Sequence, residues 1–197
     1  MSPKLLLASF IVAFSLISNT HASKPPTDPK KQTPWGLYVN AKEAYDLKTK
    51  LGEKALFVDV RDPVEIQFTG YTDVVDINVP FMLANSKKWN TKKSVLQMEK
   101  NPDYIPDLEQ ALVNKGLSKE DTVILMCRSG GTRGAPAANV LYDRGFKKVY
   151  VVTDGFEGGT LKQGENKGWR LKNGWKNSKL PWSYKLNKDK MYYKNKF

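Results

Sequence analysis

The stretch Val123-Ile-Leu-Met-Cys127-Arg-Ser-Gly-Gly-Thr-Arg133-Gly-Ala-Pro-Ala-Ala-Asn-Val-Leu141 constrains the fold more than any other part of the chain. Val123 to Met126 is a short, unbroken apolar run, the composition of a strand buried on both faces of a parallel sheet. From about Thr132 to Arg144, the residues Ala135, Ala138, Val140 and Leu141 recur at roughly helical spacing, and Gly145 stands where a helix stop belongs. A strand that passes into a helix through such a loop brings main-chain N–H groups of the loop and of the first helical turn toward a common centre. Cys127 holds the last position before that loop, where the local field favours negative charge, a thiolate sulfur included. Gly130 and Gly131 suit close backbone curvature, Ser129 and Thr132 extend the run of amides, and Arg128 and Arg133 add cationic groups suited to an oxyanion. The bland alternative is an inert cysteine buried at a strand end, and two arginines and two glycines in the next six residues weigh against it.

The flanking segments repeat the strand-helix pattern. Trp35 to Val39 reads as an edge strand, and Asn40 as the N-cap of a helix from Ala41 to about Lys50 with Ala44, Leu47 and Leu51 on its apolar stripe. Ala55 to Val60 is a second apolar strand, ending at Asp59, Arg61 and Asp62, and Val74 to Val79 a short third. Phe81 to Tyr104 is polar and is expected to be a long loop or irregular helix of the kind that shapes a pocket mouth. A helix over Ile105 to Leu117 precedes the Cys127 strand, and Val149 to Val152 follows its helix. Gly164 to Gly174 is expected to project from the mouth as a basic loop, and Gly174 to Trp182 to form a closing helix. The fold class is α/β: a doubly wound, mostly parallel sheet of about five strands flanked by helices on both faces. Ligands of such sheets collect at the carboxyl ends of the strands, where Cys127 lies.

Cys127-Arg-Ser-Gly-Gly-Thr-Arg133 resembles the active-site loop of the rhodanese-like sulfurtransferases. Further matches follow in order: Phe57-Val-Asp59-Val-Arg61-Asp, Val75-Asp-Ile-Asn-Val-Pro80, Gly145-Phe-Lys-Lys-Val-Tyr-Val-Val152, Asp154-Gly155-Phe-Glu157-Gly158, and Gly174-Trp175 with Leu180-Pro181-Trp182. The resemblance implies a rhodanese-like fold, Cys127 as nucleophile, and Arg128, Ser129, Gly130, Gly131, Thr132 and Arg133 as the substrate cradle. It also places Asp59 and Arg61 near the loop. Arg61 then holds loop geometry, contacts substrate, or forms a salt bridge tying strand ends together, while Asp59 is favoured as structural. Glu157 orients a loop amide, limits which acceptors approach, or, the favoured reading, is a plain turn carboxylate. In one respect the chain departs from the family: from Cys127 to Gly145-Phe146 there is one residue more than the usual spacing. Cysteine, five residues, then arginine resembles the cell-cycle dual-specificity phosphatases on the same fold, so phosphate or arsenate stands as an alternative to sulfane sulfur.

The ends of the chain set the chemical inventory. Residues 1–22 join Lys4, an apolar run from Leu5 to Ile17 and Thr20-His21-Ala22, which reads as a cleavable secretory signal peptide. His21, the only histidine, leaves with it, so histidine bases and ligands are excluded from the mature chain, and no metal or cofactor constellation is expected. Cys127 is the only cysteine, which excludes an intramolecular disulfide and a resolving thiol. Residues 23–34 carry Pro25, Pro26, Pro29 and Pro34 among lysines and are expected to be an extended, solvated linker, with the domain spanning 35–185 and a basic aromatic tail spanning 186–197. Thr160 to Phe197 holds eleven Lys or Arg against Glu165 and Asp189, a face for an acidic protein partner; export argues against nucleic acid. No stretch supports stable membrane insertion.

The functional expectation is a periplasmic or secreted sulfurtransferase. It takes sulfur from a small sulfur-containing anion such as thiosulfate and passes it to a thiol or protein acceptor. The alternatives are an oxyanion enzyme of phosphatase or arsenate type and a non-catalytic sulfur-carrier or docking module.

Overall fold

The computed structural model describes residues 23–193; the expected signal peptide and residues 194–197 lie outside the described residues. In chain order the elements are β1 (Tyr38–Val39), α1 (Ala41–Leu51), β2 (Ala55–Asp59), α2 (Pro63–Thr69), β3 (Ile77–Asn78), β4 (Met82–Asn90), β5 (Val95–Lys100), α3 (Tyr104–Asn114), β6 (Thr122–Met126), α4 (Gly134–Tyr142) and β7 (Lys148–Val152). Strands β1-β7-β6-β2-β3 form one sheet in that order, and every pairing in it is parallel. The central pair, β2 and β6, is aligned from Ala55 opposite Thr122 to Asp59 opposite Met126.

Side chains alternate across this sheet, so it carries two cores. Leu56, Val58, Val123 and Leu125 pack with Leu108 and Leu112 of α3 and with Ala137, Ala138 and Leu141 of α4. Phe57, Ile124 and Met126 point the other way, to Ala41 and Ala44 of α1, Ile66 of α2 and the fully buried Trp175. Burial on both faces explains the unbroken apolar strands, each large side chain contributing roughly 1.5–3 kcal/mol. Cys127 follows the odd-numbered residues of β6 and belongs to the α3/α4 side.

Helix α1 starts as its sequence directs: Asn40 accepts from the Glu43 amide at 3.0 Å and Glu43 returns the bond to the Asn40 amide at 2.8 Å. Helix α2 has equally good signals, with Asp62 as N-cap, Pro63 in the first turn and Gly70 at the C-cap, although only its flanking charges stand out by periodicity.

Two segments differ from expectation. Residues 82–100 form an antiparallel hairpin of β4 and β5 rather than a loop or irregular helix, with a register shift between Asn85 and Trp89. The shift breaks the alternation that marks a strand. The cross-strand contacts are polar too: Glu99 accepts from Asn85 and Lys88, and Asn90 donates to Gln97, so neither face reads as apolar. Between Gly174 and Trp182 there is no helix but successive turns, with amides of Asn177 and Ser178 donating to Gly174 and Trp175.

Both ends of the described chain lie against the domain. Residues 24–34 are largely exposed, as their composition requires, yet the Ser23 amide donates to the Tyr38 carbonyl and the Thr33 amide to the Tyr38 hydroxyl. At the opposite sheet edge the Tyr192 amide donates to the Asn78 side chain at 3.3 Å, and Met191 packs on the α1/α2 core. Among the described residues no helix is long and apolar enough to cross a membrane.

Candidate active site

Cys127 is 2% exposed, and it forms part of the floor of a cavity of about 670 Å³ together with Arg128, Ser129, Thr132 and Arg133. Three glycines bring this about by allowing backbone where a side chain would not fit. At Gly130, φ is +62° and a Cβ would lie 1.6 Å from the Thr153 carbonyl oxygen. At Gly155, also φ +62°, a Cβ would lie 2.4 Å from the Cys127 carbonyl oxygen. At Gly134, the first residue of α4, a Cβ would sit 3.7 Å from the Cys127 sulfur and 2.8 Å from Val151, so the helix N-terminus approaches the sulfur closely.

The turn at 154–157 clamps the loop from outside. Amides of Phe156 and Glu157 donate to the carbonyls of Cys127 and Arg128 at 2.9 and 2.7 Å. Asp154 ties this turn to the rest of the fold, accepting from the amides of Ala41 and Gly174 at 2.8 and 3.0 Å. Burial raises the Asp154 carboxyl pKa, and those amide hydrogen bonds oppose the rise. With the first loop carbonyls drawn into the turn, the amides of Arg128 to Arg133 donate to no group among the described residues. A run of N–H groups without partners among the described residues, adjoining Cys127 and a helix N-terminus, has the chemistry to hold an anion.

The arginines are not equivalent. Arg133 forks onto Glu65 of α2, with bonds of 2.7 and 2.8 Å. Burial works against its charge, but the hydrogen-bonded Glu65 carboxylate outweighs it and raises the Arg133 pKa. Arg128 donates from Nε to Glu157 at 2.5 Å, which gives Glu157 a defined partner in the loop. Arg61 is fully buried, bonded to both Asp59 oxygens, to Thr69 and to the Gly70 carbonyl, with its guanidinium carbon 4.1 Å from the Phe156 ring centroid. It does not reach the cavity. Of the roles open to Arg61, the structure builds the salt bridge that ties strand end to turn, and Asp59 is its buried partner.

Ser129 and Thr132 line the cavity, whereas Gly130 and Gly131 shape the loop without forming its wall. Several wall residues were not singled out as site residues by the sequence: Glu65 from α2, and Lys93, Leu96, Met98 and Arg170, which lie in the two segments that the sequence assigned to the pocket mouth without naming their roles. Asp62-Pro63 was the available signal for the helix carrying Glu65. For the hairpin the polar composition of 81–104 pointed to the mouth, but not to which side chains face the cavity.

Comparison with known proteins agrees with this geometry. The Rhodanese-like domain family matches residues 41–162. An uncharacterized protein of Rickettsia prowazekii is 32% identical over 135 residues, covering 68% of this chain and 87% of that one. A second from Rickettsia conorii is 30% identical over 142 residues, covering 72% and 93%. The crystal structure of Rv0390 from M. tuberculosis superimposes with a TM-score of 0.56 at 25% identity, covering 75% of this chain and 97% of that one. With its parallel sheet, its Cys127 loop and a match that runs through both, this chain belongs to the rhodanese-like domain family.

Proposed function

We propose that this protein is an exported sulfurtransferase that carries sulfane sulfur as a persulfide on Cys127. The observation that carries the reading is the set of unpaired amides from Arg128 to Arg133 beside the cysteine sulfur. Cys127 thiolate attacks the outer sulfur of a donor such as thiosulfate. A Cys127 S–S bond forms, the donor S–S bond breaks, and its electron pair leaves with sulfite. The terminal persulfide sulfur then bears the negative charge inside the amide cradle, where preorganised donors stabilise it. An acceptor thiolate attacks that sulfur and returns Cys127 to its starting form. Neither step needs a proton, which suits a cavity whose one acidic wall residue among the described residues, Glu65, is already held by Arg133. Hydrolysis of a phosphate ester would need a general acid there for the leaving alkoxide. The apolar, basic-started composition of residues 1–22 supports export.

Intact-mass analysis of the secreted protein tests both parts. The expected mass begins at Ser23, rises by one sulfur atom after thiosulfate, and falls back with cyanide; Cys127→Ser takes up no sulfur. Turnover of a phosphate ester without any sulfur loading would replace this reading with the oxyanion one.

A further inference from the structure

The segment whose composition reads as a solvated linker is held from Ser23 onward. The Ser23 amide donates to the Tyr38 carbonyl at 2.9 Å, and the Ser23 hydroxyl donates to Glu43 Oε2. That oxygen also accepts from the Asn40 amide at 2.8 Å, as the return arm of the capping box that opens α1. Farther along, the Thr33 amide donates to the Tyr38 hydroxyl and the Gln32 carbonyl accepts from Asn139 of α4. Lys24, Pro26 and Asp28 share a cavity of about 270 Å³ with Gly130 of the Cys127 loop. Residues 23–33 therefore lie beside the active-site loop.

Glu43 is half-buried and forms no ion pair among the described residues. Its charge is felt by Asp154: burial is the main cause of that carboxyl's raised pKa, and Glu43 adds to the rise. The capping box does not require this charge, since glutamine serves at the same position. Negative charge is in surplus here, and the nitrogen held at the same spot is that of Ser23.

We propose that Glu43 and the Tyr38 carbonyl form a binding site for the α-ammonium that cleavage before Ser23 creates. This rests on the export reading of residues 1–22. Hydrolysis of the Ala22–Ser23 bond by a leader peptidase consumes one water. Its oxygen goes to the Ala22 carbonyl carbon and its two protons to the Ser23 nitrogen, leaving a carboxylate on the leader and, at neutral pH, an ammonium on Ser23. An ammonium has three donors where the peptide nitrogen has one, so it keeps the Tyr38 bond and turns charge toward Glu43. Processing thereby completes an ion pair that the precursor lacks and fastens residues 23–33 beside the Cys127 loop.

The test compares the chain beginning at Ser23, released from a fusion partner cut directly before that residue, with the same chain carrying Gly-Ala ahead of Ser23. Trace acetylation at pH 7, read by peptide mass spectrometry, reports the reactivity of the terminal amine. In the Ser23 chain, Glu43→Gln is expected to speed acetylation about tenfold, the effect of one pKa unit, and to lower the urea-unfolding midpoint. In the extended chain the same substitution, which keeps the cap acceptor, is expected to leave both unchanged. Equal acetylation rates in the wild-type and Glu43→Gln forms of the Ser23 chain, or the same loss of midpoint in both chains, overturn the site. Should Glu43→Gln not fold, urea-unfolded wild-type protein supplies the reference rate, and a terminal amine that reacts no more slowly in the folded chain overturns the site as well. An exported protein whose mass begins at another residue overturns the export reading instead, since the fusion-derived chain is made without export.

Discussion

Three arginines stand at or near the carboxyl ends of β2 and β6, and each has its own carboxylate: Asp59 for Arg61, Glu157 for Arg128 and Glu65 for Arg133. Their burial separates their roles. Arg61 and Asp59 side chains are both 0% exposed, so Arg61→Ala leaves an uncompensated buried carboxylate and is expected to lower stability by about 3–5 kcal/mol. Urea unfolding reads that loss; KM for thiosulfate in the folded fraction stays unchanged, since Arg61 does not reach the cavity. A raised KM without a stability loss would return Arg61 to the substrate. The Arg133–Glu65 fork is a different case, because it fixes a loop residue to a neighbouring helix. A double-mutant cycle with Arg133→Gln and Glu65→Gln is expected to give a coupling energy of about 1–3 kcal/mol. Lysine in place of Arg133 cannot reproduce the two parallel bonds. At this scale the sequence was informative about Cys127, its glycines and its amides, which are local. It was silent on which acid each arginine would meet, because Glu65 and Arg133 are brought together only by tertiary packing.

Among the elements, those buried by the central sheet were readable and those outside it were not. The β2, β6 and β7 strands announce themselves as apolar runs because both of their faces are covered, and α1, α3 and α4 because one stripe is. The hairpin has no such requirement: its polar cross-strand pairs and its register shift leave no period to detect. The turns after Gly174 resemble a helix in composition, yet they are organised around the buried Trp175, whose indole donates to the Pro181 carbonyl at 2.9 Å. The C-terminal segment likewise acts as an edge cover, since Lys190 donates to the Asp73 carbonyl and Asn187 to its side chain beside β3. Ending the chain after Lys185 removes those contacts and Met191, and it exposes the β3 edge. The expected result is a stability loss of about 2 kcal/mol from the lost burial, seen in urea unfolding, together with self-association visible in sedimentation. A truncated chain as stable and monomeric as the full one would mean that this segment is not part of the domain's cover.

At the scale of the whole molecule, the formal net charge of +12 is distributed mainly toward the C-terminal residues, where Thr160 to Phe197 carries eleven cations against two anions. The site lies beside this region, for Arg170 is on its wall. On the proposed sulfurtransferase reading, direct neutralisation of an anionic donor by the loop is limited because both loop arginines are paired, so much of the attraction acts before contact. Such a field raises encounter rates and is screened by salt over a distance of about 10 Å at 0.1 M. The proposed amide cradle would behave differently, because main-chain donors are fixed and act at short range. Raising ionic strength is therefore expected to lower kcat/KM for thiosulfate severalfold while leaving kcat nearly constant. Steady-state rates across a sodium chloride series, with acceptor saturating, measure both quantities. Neutralising Lys167, Lys172 and Lys179 together, none of which lines the cavity, is expected to flatten the salt dependence without altering kcat. A salt effect confined to kcat would locate the electrostatics in the cradle and not in the basic C-terminal region.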